Sequence, residues 1–192
     1  AFTLDAKGGP GNVGIESFQD SITESGKLPA ESFHGHHITV LNSASEDDDY
    51  YLEYKAYDGV KGKGYYQETI ARDVSPGLDA STMPYQLENT GATTFTFNPI
   101  SWDNRTAGDN NSSPIPSFIG FKINASFFYS DRLGVLSEDN VFLGVANDSF
   151  NFFPKSALAQ VDSDPIDLNV ASIRPVTLTD VVPSPQGLLL FS

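Results

Sequence analysis

Apolar and polar positions interleave along this chain in short runs rather than long blocks. In "GIESFQDSIT", Ile15, Phe18 and Ile22 fall at i, i+3 and i+7, which predicts one face of a short amphipathic helix. Gly26 is placed to end it and Pro29 to stop any continuation. Upstream, "AKGGPGNVG" reads as a flexible loop. Three β-favouring runs follow: "HHITVLNS" with a strand over Ile38 to Leu41, "YYLEYKAY", and "YYQETIA". The polar "SEDDD" and the glycine-rich "DGVKGKG" separate them as turns. The helix and this three-stranded meander predict a small α+β unit over roughly residues 13 to 90.

Beyond "TMPYQLE" the texture changes. "ATTFTFNPI" alternates cleanly, with Phe95 and Phe97 on one face and Thr94 and Thr96 on the other. "DNRTAGDNNSSPIPS" is a long polar loop. "SFFYS", "GVLSEDNVFLGV", "SFNFF" and "LLLFS" are short strands separated by turns, and "PKSALAQ" is at most one helical turn. "SEDN" predicts a hairpin turn between strands whose buried positions are Phe127, Leu133, Val135, Val141 and Leu143. The second half is therefore expected to be all-β, with strand spacing suited to a propeller or a sandwich.

The 192 residues are 39% hydrophobic and 12% aromatic, enough for a real core and against wholesale disorder. A formal net charge of −14 opposes tight binding of a phosphate backbone, and does not exclude a wall past which DNA slides without sticking. Cysteine is absent, which excludes disulfides, thiol catalysis and Cys-ligated zinc within these residues. No apolar run approaches the length of a membrane span, and the first residues lack the pattern of a signal peptide. The chain starts without Met and stops on "LLLFS", the interior of a strand by its composition, so a piece of a longer chain is expected.

Several clusters invite a chemical reading. His34, His36 and His37 in "FHGHHIT" include an H-x-H pair that puts two imidazoles on one strand face, as a metal site requires. No further His or Cys cluster completes the set, and a strand-edge histidine cluster is favoured. Glu46 to Asp49 supply consecutive oxygen ligands for a hard cation, without the spacing of an EF-hand; a solvated hairpin tip is favoured. Asp162, Asp164 and Asp167 in "DSDPID" offer an acid–base pair for glycoside hydrolysis, yet Asp164-Pro165 also starts a turn. "VKGKGYY" shares only its glycines with a phosphate-binding loop. Asn104, Asn110, Asn111, Asn124 and Asn147 each head an N-x-[ST] sequon, which chance explains as well as glycosylation does. Arg132 lies between two apolar strands and is expected to be buried, either beside Asp131 or another carboxylate or as a clamp on neighbouring backbone.

Six blocks in order, "LPAESFHGHHITV", "DDDYYLEYKAYDGV", "YYQETIARDVSPGLDASTMPYQL", "WDNRTAGDNNSSPIPSFIG", "INASFFYSDRLGVLSEDNVFLG" and "FNFFPKSALAQVDSDPIDLNVAS", carry a resemblance. With the closing "LLLFS", they resemble the tail nozzle proteins (tail tubular protein B, or tail stabilisation protein) of T7-like short-tailed bacteriophages. The resemblance implies a mainly β protein: an accessory domain at residues 1–90, a strand and polar linker at 91–120, and the first strands of a β-propeller at 121–192. It implies a virion subunit, self-associated into a hexameric ring that forms part of the DNA-ejection channel. Adaptor and tail-fibre proteins would be its neighbours, and genomic DNA would pass without specific binding. The family supplies no catalytic residue, cofactor or metal, and none is assigned; "FHGHHIT" departs from the family pattern. The competing reading is a carbohydrate-binding or glycan-processing propeller using Trp102, Tyr85 and Tyr129 to stack sugars, although no S-x-D-x-G-x-T-W box is present. A secreted adhesion module is a weaker third, for want of a signal peptide.

Overall fold

The computed structural model describes residues 2–5, 16–45 and 48–192, the first four and residues 16 and 17 by their backbone alone. Regular structure among them is β throughout, interrupted by 3-10 turns such as Ser25–Lys27 and Ala80–Thr82. The chain divides into two compact units, Ala1–Val74 with Thr106–Ser112 and Ser156–Leu158, and Ser75–Arg105 with Ser113–Lys155 and Ala159–Ser192.

In the first unit, β1 (Phe2–Asp5) pairs antiparallel with β2 (Glu16–Gln19). A four-stranded sheet has the order β3 (Ser21–Ile22), β5 (His37–Val40), β6 (Tyr50–Ala56), β8 (Gly64–Thr69). Its first pair is parallel and the rest antiparallel. Between them, β4 (Ser32–Phe33) pairs with β7 (Lys61–Gly62). The expected meander is thus present as β5, β6 and β8. Strict period-2 burial in β5 and β6 drives Ile38, Val40 and Leu52 into a core with Ile22. Each such side chain contributes ~1.5–3 kcal/mol on leaving water.

The helix expected over Ile15, Phe18 and Ile22 does not form. Ile15 lies outside the described residues, Phe18 is in β2, and Ile22 is in β3. Phe18 and Ile22 are four residues apart, an even spacing that shares a face on a strand as well as on a helix, so the pattern alone was ambiguous. Pairing decides it. The amide of Thr39 donates to the carbonyl of Asp20 (2.8 Å) and that of Leu41 to Ile22 (2.7 Å), satisfying backbone that a short solvent-exposed helix would leave to water.

Two later segments belong to this unit. Gly108 exchanges backbone bonds with Ala71 and Thr69, and the Glu68 carboxylate accepts from the Ser156 hydroxyl (2.7 Å) and the Ala157 amide (2.6 Å).

The second unit contains a hairpin, β9 (Tyr85–Asn89) with β10 (Phe95–Pro99). It also contains an antiparallel meander of β11 (Ile123–Tyr129), β12 (Arg132–Ser137), β13 (Asn140–Leu143) and β14 (Ile166–Asn169). A second ribbon pairs β15 (Asp180–Ser184) with β16 (Gly187–Phe191). The "SEDN" hairpin is as expected: Ser137 pairs with Asn140 across Glu138 and Asp139. The turn before it, Ser130-Asp131, has φ of 50° and 59°, the left-handed pair that matches strand twist in a two-residue hairpin.

The meander is covered on both faces. Phe127, Leu136, Val141 and Leu143 pack with Leu178 and Val181 on one side. Val135 and Phe142 pack with Met83, Phe118 and Phe152 on the other, where the half-buried Leu133 joins them. The positions expected to be buried therefore divide between two cores rather than sharing one.

Candidate functional site

The three histidines do not converge. His34 is exposed, while His36 is fully buried, its Nδ1 hydrogen-bonded to the Ser32 hydroxyl at 2.7 Å. The His36 ring packs against Phe33 and Phe18, which also meet each other edge-on, and its Nε2 stands 3.8 Å from Asp20 Oδ1. Burial holds the imidazole below its ordinary pKa, against the opposing pull of Asp20. His37 points elsewhere and donates from Nε2 to the carbonyl of Ile70 at 2.8 Å. Among the described residues, no group of three His, Cys, Asp or Glu side chains is arranged to hold a metal ion.

The carboxylate clusters serve the backbone. Glu46 and Asp47 lie outside the described residues. Asp49 accepts from the Asn42 amide at 2.6 Å, and Asp48 from its side chain at 3.4 Å, closing the turn between β5 and β6. In "DSDPID", Asp164 caps its own turn by accepting from the Val161 amide (2.9 Å). Asp167 grips the amide and hydroxyl of Ser117 at 2.8 and 2.6 Å. The two carboxylates thus hold different segments rather than forming a pair. In "VKGKGYY", Asp58 already accepts the amides of Val60 and Lys61, the N–H groups that a phosphate would need.

Arg132 is buried, 5% exposed, and clamps backbone rather than pairing with a carboxylate. Nη1 donates to the carbonyls of Gly144 (2.7 Å), Asp164 (2.5 Å) and Ser163 (3.1 Å), and Nη2 to that of Asp162. A planar guanidinium suits this task because one rigid fork satisfies several carbonyls at once. Of the sequon residues, Asn104, Asn110, Asn111 and Asn147 are exposed, whereas the Asn124 amide donates to the Leu178 carbonyl at 2.8 Å.

One polar centre had no signal in the sequence. The Tyr51 hydroxyl donates to Asp109 Oδ2 at 3.0 Å across 58 positions. The other carboxylate oxygen accepts the amides of Asn111 and Ser112, each at 2.9 Å, and the Ser112 hydroxyl. Burial, then the bond to Asp109, pushes the Tyr51 pKa far up. Burial acts to raise Asp109 as well, but the amides of Ser112 and Asn111 together hold it below the usual carboxylate range. The cluster locks "GDNNS" against β6.

The proposed sugar-stacking residues split. Trp102 and Tyr85 line a groove of about 470 Å³ with Met83, Phe128, Phe150 and Phe152, while Tyr129 lies on the other face of the meander. Trp102 packs edge-on against Phe150 and tilted on Phe152, at centroid distances of 5.7 and 4.8 Å. Among the described residues, no charged side chain lines the groove. Its lining is mainly apolar, with Gln86, Ser126 and Ser149 as its polar side chains besides the ring groups of Tyr85 and Trp102.

The sites that chemistry would need are therefore dispersed, and their polar groups are engaged in holding loops. The family described as bacteriophage nozzle protein matches residues 1–192. The chain is 34% identical over 167 residues to tail tubular protein gp12 of Escherichia phage T7, covering 86% of this chain and 20% of that protein. It spans about one fifth of the length of that curated relative. The chain belongs to the bacteriophage nozzle protein family.

Proposed function

We propose that this chain is part of a structural subunit of a phage tail nozzle, assembled with copies of itself into a ring around the channel through which DNA leaves the virion, and without catalytic activity. The observation that carries this reading is the family match along the whole chain. The engagement of Asp164, Asp167, Asp109 and Arg132 in holding backbone supports it further. A net charge of −14 suits a channel lining, since phosphates that meet carboxylates release no counterions and are not retained. The ring is hexameric in this reading, and adaptor and tail-fibre proteins are its neighbours. Residues 1–90 form an accessory domain, 91–120 a strand and linker, and 121–192 the first strands of a β-propeller; the four antiparallel strands β11 to β14 have the size of one blade.

Electron microscopy of the full-length protein tests the reading. Rings with a central channel are expected. A stable monomer that binds glycans on an array would sink it and favour the carbohydrate-binding alternative.

A further inference from the structure

We draw no further inference here: the strongest candidate, the outward apolar face of the β9–β10 hairpin with the aromatic groove at its foot, is an unpartnered surface, and nothing in the structure shows what covers it.

Discussion

Arg132 on β12 reaches the carbonyl of Gly144 at 2.7 Å, and the same guanidinium gathers the carbonyls of residues 162 to 164. One buried cation therefore ties the end of β13 to the loop that precedes β14. Arg132→Ala leaves these carbonyls without their donor and is expected to destabilise the second unit by about 2–4 kcal/mol. Arg132→Lys recovers part of this, since an ammonium has a single nitrogen to place among them. Trp102 is the only tryptophan of these residues and lies in this unit. Urea unfolding followed by its fluorescence reads the loss, and equal stability of the Ala variant would remove the clamp role.

Gly134 sits opposite Phe127 in the β11–β12 pair, and the Phe127 ring occupies the space that a Cβ at 134 would need. Gly134→Ala is expected to cost about 1–3 kcal/mol by overpacking. In combination with Phe127→Leu the two losses should fall short of additive, because the shorter side chain vacates the contested space. A double-mutant cycle by urea unfolding checks this; strict additivity would show that the two residues do not contend.

His36 should make stability fall on mild acidification. Its folded pKa lies below the ordinary value of 6.5 because burial disfavours the imidazolium, so the unfolded chain binds the proton more readily. The stabilisation is complete above that ordinary value and declines as pH drops through it towards the folded pKa. Melting temperature between pH 7.5 and pH 5, values spanning the ordinary histidine range, should drop less in His36→Gln than in the parent chain. Parallel curves would place the sensitivity elsewhere.

The Tyr51 hydroxyl and Asp109 form a pair with opposite pKa displacements. Tyr51→Phe removes one donor and should cost about 1–2 kcal/mol while raising the Asp109 pKa. Asp109 contributes stability that is present above the usual carboxylate range and is lost as pH falls through its lowered folded pKa. The variant should therefore show a shallower acid loss than wild type. NMR titration of the Asp109 carboxyl provides the direct reading, and an unchanged pKa would show that the hydroxyl does not stabilise the carboxylate.

Much of the local structure was legible in the residues themselves. Period-2 burial in "HITV" and "YYLEYKA" and the "SEDN" turn depend on neighbours a few positions away, so short-range sterics and side-chain bonding specify them. The turn expected to start at Asp164-Pro165 instead ends at Asp164, whose amide donates to the Val161 carbonyl, and Pro165 leads into β14. The resemblance to nozzle proteins was likewise present in the order of the blocks, and the family match agrees with it.

Tertiary structure decided what distant partners control. Phe18 and Ile22 satisfied helix and strand equally until β5 supplied hydrogen bonds to the segment. The alternation of Phe95 and Phe97 revealed a two-sided strand but could not say that its aromatic side would face outward, because alternation separates faces without labelling which one is covered. Arg132 was expected to be buried, yet its partners come from carbonyls some thirty positions away, and Tyr51 meets Asp109 across 58. Such contacts form only where the fold brings separated segments together, and no spacing along the chain encodes them.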